Sequence, residues 1–332
     1  MKQKAVTITD IAQIAGVSRT AVYTALNAHK TLNSRISDKV KEKILQTVKE
    51  TGYIPNNAAK SLVSGRTYNV GFVMQNDDWL LLDMVLAFEK QGFMIMPIKV
   101  LNSDPECERK YLTRLLSRGV DAIIINRVSN KYNNDLFRQI INSGIALIFL
   151  AEENEGIDGS MHVMLNEKRG MELPIKFLHN AGKRRFVIVM EHEVFQTKRI
   201  QYLHDALALF PDCQLLEDIE ITTPKDLIKK ALIWRENPES RPDAIITPGD
   251  LFAWLVIESL REVGLRVPQD IQITGIGDDP QTYHLVSLTT VRFSPAQVAQ
   301  QCVSVFHDWL NKKPYFPRVI KPKLITRESA PG

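Results

Sequence analysis

Five polar side chains in the stretch DIAQIAGVSRTAVYTALN, residues 10–27, are spaced so that they share one face of a helix. They recur at i, i+1, i+4, i+5 and i+8, while apolar side chains occupy the opposite face. A short helix with an outward face of hydrogen-bond donors and acceptors suits the major groove of DNA, where side chains contact base edges and phosphates. The five residues are Arg19, Thr20, Tyr23, Thr24 and Asn27.

Local signals predict the elements that would position this face. Thr7 and Asp10 have the spacing of a capping box, and apolar residues then recur at helical spacing as far as Ala15. Gly16 supplies a turn that needs a positive φ, and Ser18 caps the next helix. A third helix is predicted from about 37 to 51. This layout indicates a helix-turn-helix that places its second helix in the major groove, although a plain three-helix bundle with a polar surface has the same pattern.

The charge is unevenly distributed along the 332 residues. Residues 1–66 contain 11 Lys and Arg against 4 Asp and Glu, whereas the remainder contains 31 against 34. The head therefore carries +7 and the body −3. A basic head on a slightly acidic body indicates a polyanionic partner for the head alone, with a solvated lysine-rich surface as the alternative.

From Asn69 onward, short apolar runs alternate with amphipathic segments, which favours parallel sheets covered by helices on both faces. The number of runs predicts two doubly wound lobes behind an all-α head. The predicted division is a head at 1–54, a hinge and linker at 55–66, and a two-lobed body at 67–332. The first lobe is expected at about 67–158 and 292–318, the second at about 159–291 and 319–332. Helices are predicted at 106–118, 167–181, 225–236 and 250–264.

Signals for catalysis or metal binding are weak. The three cysteines are far apart in the sequence, and GxSxG, HExxH and GxxxxGK[ST] motifs do not occur. We therefore expect neither an enzyme nor a cofactor or metal site. The N-terminal stretch lacks an apolar signal region and no run reaches membrane-spanning length, so no membrane partner is expected and the bacterial cytoplasm is the predicted location.

Five stretches, taken in order, resemble the lactose/galactose repressor (LacI-type) family over nearly the whole chain. The resemblance implies a helix-turn-helix head, a two-lobed body like that of periplasmic sugar-binding proteins, a small effector between the lobes and a homodimer. It thus predicts a sequence-specific transcriptional regulator, most simply a repressor, on a pseudo-palindromic double-stranded operator. The stretches are VTITDIAQIAGVSRTAVYTALN, TGYIPNNAAKSL, SRPDAIITPGD, GLRVPQDIQITGIGDD and LTTVRFSPAQVA.

The segment YIPNNAAKSL resembles the hinge helix of the family. A helix this short is marginal alone in water, so we expect it to form when two copies pair on DNA. The resemblance implies that Leu62 wedges into the minor groove and that Lys60 lies near a phosphate. The alternative makes Leu62 an ordinary contact between linker and body. Further DNA contacts implied by the resemblance are Thr7, Ser18, Asn57 and Ala59.

The body departs from the family in the cleft, where several expected polar groups are replaced, for example by Ala151, Gly249 and Gly277. Arg199 and Asp250 match residues that the family uses. Because a buried arginine needs an acidic partner, one hypothesis is an anionic or partly aromatic effector anchored by Arg199. The further effector-contact candidates are Asp278, Phe293 and Trp79, the last two by stacking.

Other interpretations of the body remain open. Arg199 could instead bridge to Asp250 or Asp278 within a cleft that has lost its effector, in which case the regulator would respond to a protein partner or to DNA alone. A sugar effector is not excluded. A solute-binding protein is the alternative from another class, which the helix-turn-helix disfavours.

Overall fold

The computed structural model describes residues 6–26, 36–54, 61, 64–75, 78–129, 131–150, 157–191, 196–221 and 223–331. The chain divides into two compact units, residues 1–68 and 69–332. The predicted hinge helix at 55–60 and Leu62 lie outside the described residues, as does Asn27. Within the described part, no helix combines the length and apolar character needed to cross a bilayer.

The head is built from three helices, and local capping fixes their ends. Thr7 forms the capping box of the first helix with Asp10, and Gly16 ends that helix with a φ of 64°. Ser37 caps the third helix, which ends at Gly52 with a φ of 62°. The predicted Thr7 capping box, the Gly16 turn and a third helix at about 37–51 are confirmed. The helices are α1 (Ile8–Ala15), α2 (Arg19–Leu26) and α3 (Asp38–Thr51).

A small apolar core joins the three helices of the head. Ile11, Val22 and Ile44, one from each helix, are fully buried, and Ala12, Ala15 and Ala25 complete the cluster. The stripe that faces this core leaves the opposite side of α2 in solvent, so the core positions the polar face that the sequence predicted.

The first lobe of the body contains a six-stranded parallel sheet in the order β11-β5-β4-β3-β1-β2. Its strands are β1 (Asn69–Met74), β2 (Met94–Lys99), β3 (Ala122–Ile125), β4 (Ala146–Leu150), β5 (Met161–Leu165) and β11 (Arg318–Ile320). Its helices are α4 (Asp78–Glu89), α5 (Pro105–Ser117), α6 (Asn134–Asn142) and α11 (Pro295–Leu310). Strands β3 and β4 are almost wholly buried, as expected of parallel strands with helices on both faces.

The second lobe repeats the arrangement in the order β12-β10-β9-β8-β6-β7, with β12 antiparallel to β10. Its strands are β6 (Arg185–Glu191), β7 (Gln214–Ile221), β8 (Ala244–Ile246), β9 (Gln272–Ile276), β10 (Thr289–Arg292) and β12 (Lys323–Ile325). Its helices are α7 (Glu167–Asn180), α8 (Gln196–Leu207), α9 (Pro224–Glu236) and α10 (Asp250–Glu262). The predicted fold class is therefore confirmed, and the four predicted helices lie within two residues of their expected bounds.

The division between the lobes differs from the sequence-based boundaries. Strand β5 pairs with β4 in the first sheet, so that lobe continues to Leu165 rather than ending near 158. Strand β11 pairs with β5 and keeps residues 318–320 in the first lobe as well. The sequence placed the boundary at a polar loop, whereas hydrogen bonding between strands adds one more strand after that loop.

Candidate functional site

The outward face of α2 begins with its most accessible residues. Arg19 and Thr20 are exposed, while Tyr23 and Thr24 are half-buried. The hydroxyl of Ser18 accepts a hydrogen bond from the backbone N–H of Ala21 at 3.1 Å and thereby caps the helix. The structure thus presents the first turn of α2 most openly, which is the part of a recognition helix that contacts base edges.

Internal hydrogen bonds use the hydroxyls of some of the residues predicted to contact DNA. The Thr24 hydroxyl donates to the carbonyl of Thr20 at 3.0 Å. The Thr7 hydroxyl donates to the Asp10 carboxylate at 2.7 Å within the capping box. Tyr23 lies beside Tyr53, whose pKa is raised by burial and then by Tyr23. Thr7 and Thr24 therefore shape the head, and their contact with DNA remains a prediction.

In each lobe the strand order reverses at one point, beside β1 in the first sheet and beside β6 in the second. In doubly wound folds, ligands bind outside the carboxyl ends of the strands at such points. Arg199 on α8 is located there in the second lobe, because its Nη1 donates to the carbonyl of Pro248, just after β8, at 3.0 Å. The contacts of Arg199 and of the other candidate effector-binding residues therefore decide which polar groups a ligand could use.

Arg199 meets a carboxylate that the sequence analysis did not consider. Its Nε and Nη2 donate to the two oxygens of Glu167 at 2.9 and 2.8 Å, and the Glu167 side chain is only 11% exposed. The alternative in which Arg199 bridges to Asp250 or Asp278 is replaced by this pair with Glu167. Glu167 opens α7, 32 residues before Arg199, and only the packing of α7 against α8 brings the pair together.

Asp278 is held by two arginines of its own lobe. Arg327 Nη2 donates to its Oδ1 at 2.7 Å, and Arg292 Nε donates to its Oδ2. The carboxylate is 1% exposed, so in this structure it offers no free oxygen to an effector. The proposed contact from Asp278 is not supported by this geometry, because the two arginines supply the compensation that a buried carboxylate needs.

Asp250 begins α10 and is also satisfied from within. The Thr290 hydroxyl donates to its Oδ1 at 2.6 Å and the backbone N–H of Asp279 to its Oδ2 at 2.7 Å. Burial raises its pKa to about 6 in spite of these bonds. Its carboxylate lies against Gly275, where an added Cβ would collide with Oδ1. Asp250 thus links α10 to β9 and β10.

Phe293 packs inside the body and is 4% exposed. An added Cβ on Gly170 would come within 2.9 Å of its ring, so the ring fills the space that this glycine leaves on α7. The expectation that Phe293 stacks on an effector is wrong for this structure. Trp79 is half-buried in the first turn of α4, and its role in stacking remains a prediction.

A buried polar group in the first lobe also escaped the sequence analysis. Arg127, which follows β3, is 6% exposed, and its guanidinium lies over the rings of Phe137 and Phe149 at 4.8 and 5.3 Å. Its Nη2 donates to the carbonyl of Tyr132 at 3.0 Å and to Asn134 at 2.6 Å. Burial lowers its pKa. The arginine therefore ties the loop after β3 to the start of α6.

Both units of the chain match models of known protein families. Residues 7–56 match the model of bacterial regulatory proteins of the lacI family, and residues 175–330 match a periplasmic binding protein-like domain. The HTH-type transcriptional repressor PurR of Aliivibrio fischeri is 23% identical over 338 residues, covering 97% of this chain and 98% of the relative.

Two solved structures share the fold. The lac repressor dimer bound to operator and the anti-inducer ONPF has a TM-score of 0.75 at 20% identity, covering 99% of this chain and all of that one. The complex of the transcriptional regulator CelR with cellobiose has a TM-score of 0.64 at 19% identity, covering 98% of this chain and all of that one.

A helix-turn-helix head joined to a periplasmic-binding-protein-like body defines a DNA-binding transcriptional regulator rather than an enzyme. The head is a helix-turn-helix domain of the lacI family and the body contains a periplasmic-binding-protein-like domain, a combination that supports a LacI-type regulator.

Proposed function

We propose that this chain is a homodimeric repressor that binds a pseudo-palindromic operator through α2. The observation that carries the proposal is the open first turn of α2, where Arg19 and Thr20 project from a capped helix after the Gly16 turn. An arginine in this position suits guanine O6 and N7 in the major groove. Tyr23, Thr24 and Asn27 then share the remaining contacts with bases and phosphates.

The charge of the head supports contact with the DNA backbone. Residues 1–66 carry +7, and phosphate neutralisation by such a segment supplies the part of the affinity that does not depend on sequence. The hinge residues Asn57, Ala59, Lys60 and Leu62 are proposed contacts in or near the minor groove. This assignment rests on the resemblance of the hinge segment to that of the family.

Exposed apolar side chains support a dimer of the body. Leu82 and Leu86 are four residues apart on α4 and are 67% and 47% exposed. Met94 on the neighbouring edge strand β2 is 66% exposed. We propose that a second copy of this chain packs against these side chains. One head contacts too few base pairs for specific binding, and a twofold pair of heads matches a palindromic operator. The second lobe adds exposed Leu251, Tyr283 and Leu285.

We propose that a small effector binds between the lobes, as the body fold suggests. The ion pair of Arg199 with Glu167 limits which chemical class the effector can belong to. An anionic ligand at Arg199 would have to displace a carboxylate held by two hydrogen bonds, so a neutral polar molecule, such as a sugar, is favoured over the anion expected from the sequence.

A second candidate is a regulator without a small effector that responds to a protein partner. The internal pairing of Arg199, Asp250 and Asp278 favours it, because each charged group in the second lobe that was expected to bind a ligand already has partners. The two candidates differ in a direct measurement. Thermal unfolding of the full chain is measured with sugars, sugar phosphates and nucleobases. If a small effector exists, one of these classes should raise the Tm; if the regulator has no small effector, none of them should.

Selection of bound sites from random duplex DNA tests the main proposal. We expect enrichment of two inverted half-sites at a fixed spacing, bound by a dimer at moderate ionic strength. Enrichment of a single half-site, or no enrichment from a folded protein, would contradict it.

A further inference from the structure

Three side chains with metal-ligand chemistry meet in the second lobe, at the end of α7 opposite Glu167. They are His179, Asp212 and Cys213, and their ligand atoms all lie within 4.8 Å of one another. The Nε2 of His179 is 3.0 Å from each oxygen of Asp212. Because His179 lies 12 residues after Glu167 on α7, this cluster is about 18 Å along the helix from the residue that pairs with Arg199.

A tight turn holds two of the three groups in place. The backbone N–H of Cys213 donates to the carbonyl of Phe210 at 2.9 Å, which closes a four-residue turn with Pro211 at its second position. The His179 ring lies against the Phe210 ring, with centroids 4.5 Å apart. The imidazole is thus oriented by packing and faces the two side chains that the turn presents.

Arg184 orients the carboxylate without using all of it. Its Nε lies 2.7 Å from Asp212 Oδ2, and its Nη1 donates to the carbonyl of His179 at 2.7 Å. A carboxylate has about four lone-pair positions, so Oδ1 can bind a cation while Oδ2 keeps Arg184. Ligating carboxylates in metal sites are commonly hydrogen-bonded in this way. The Asp212 side chain is 55% exposed, so an ion can reach it from solvent.

We propose that His179, Asp212 and Cys213 form a site for a zinc-like divalent cation. Imidazole nitrogen, carboxylate oxygen and thiolate sulfur are the three ligand types that Zn²⁺ takes, and a water molecule would complete the tetrahedron. Zinc bonds of about 2.0–2.3 Å put neighbouring ligand atoms about 3.5 Å apart. The His179 and Asp212 atoms, 3.0 Å apart, lie slightly inside this spacing, and the Cys213 sulfur lies within 4.8 Å of both, so side-chain rotations within the cluster would bring the three ligands to the geometry of the ion.

Binding of the cation replaces one proton. The thiol proton of Cys213 is released to solvent when the ion binds, while the neutral imidazole binds the ion through Nε2 and carries its own proton on Nδ1. No sequence motif marks the site, because His179 lies more than thirty residues from the other two ligands and the cysteines show no CxxC spacing.

Titration of the reduced, tag-free full chain with Co²⁺ tests the site. We expect one ion per chain, with a thiolate-to-cobalt charge-transfer band in the near ultraviolet that excess Zn²⁺ abolishes. His179→Gln and Cys213→Ser should each weaken binding at least tenfold. Cys107→Ser is the matched control, since Cys107 is also half-buried but lies on α5, and it should bind as the unaltered chain does.

The site is overturned if the folded wild-type chain shows no cobalt–thiolate band, or if the band survives in Cys213→Ser. It is also overturned if Cys107→Ser removes the band. Circular dichroism of each variant separates loss of a ligand from loss of the fold. His179→Gln keeps a polar side chain of similar length, so it provides a second test if Cys213→Ser unfolds.

Discussion

The guanidinium of Arg199 and the carboxylate of Glu167 face each other as a fork, with two parallel hydrogen bonds of 2.9 and 2.8 Å between α8 and α7. The arginine that resemblance to the family assigns to an effector is thus neutralised by its own chain. Because both side chains are largely buried, this pair both connects two helices of the second lobe and limits which ligands can use Arg199.

Glu167→Gln should destabilise the body, because it leaves the Arg199 charge without its anion. We expect a loss of about 1–3 kcal/mol in the free energy of unfolding, measured by urea denaturation. A double-mutant cycle with Arg199→Met should give a clear coupling energy. Arg109 and Asp135 form the same fork on the surface, with side chains 41% and 67% exposed, and provide the control. Coupling for Arg199 and Glu167 that is no larger than the control would contradict this.

Arg19→Ala should lower the affinity for the selected operator by about 1–3 kcal/mol and relax the preference at one base step. The physical reason is the loss of a bidentate contact with guanine. Arg138→Ala removes an equal charge from an exposed position on the body and should leave the preference unchanged. Fluorescence anisotropy on operator and random duplexes measures both. Equal losses on the two duplexes would show that Arg19 does not read a base.

Leu82→Lys and Leu86→Lys should each shift the chain from dimer to monomer. A charge in the centre of an apolar interface loses its hydration without gaining a partner. Sedimentation velocity at low micromolar concentration gives the mass directly. Ile233→Lys is the matched control, because Ile233 is a 47% exposed residue on α9 in the second lobe and is not among the side chains assigned to the interface. A dimer that tolerates both leucine substitutions would place the interface elsewhere.

Asp250 should make the body less stable as the pH rises. Burial, the largest cause, raises its pKa from 3.8 to about 6, so between these values the folded state holds a proton that the unfolded state has lost. The stabilisation is therefore present below about pH 4 and is lost as the pH rises through 6. Two pKa units correspond to about 3 kcal/mol. Urea unfolding of wild type and Asp250→Asn across this range should show their difference changing.

Asp135 is the control for this pH dependence, because the hydrogen bond from Arg109 lowers its pKa to about 2. Asp135 is ionised in both states above pH 5, so the difference between wild type and Asp135→Asn should stay constant there. A constant difference for Asp250→Asn as well would show that Asp250 does not titrate in the expected window.

Local patterns were sufficient for much of the fold. The Thr7 capping box, the Gly16 turn and the Gly52 end of α3 depend on residues within a few positions of one another, so their spacing shows in the sequence. The alternation of apolar runs and amphipathic segments likewise predicted two doubly wound lobes. Each helix or strand reports its own periodicity, because that periodicity follows from backbone geometry alone.

The partners of the charged and aromatic groups were decided by the tertiary structure. Arg199 meets Glu167, Asp278 meets Arg292 and Arg327, and Phe293 fills the space beside Gly170. These residues lie between 14 and 123 positions apart, and no local pattern joins them. The sequence by itself determined the candidate side chains, whereas the packing of helices against the sheet determined that Arg199, Asp250 and Asp278 find partners within their own lobe. The physical reason is that a buried charge takes the nearest compensating group in space, wherever that group lies along the chain.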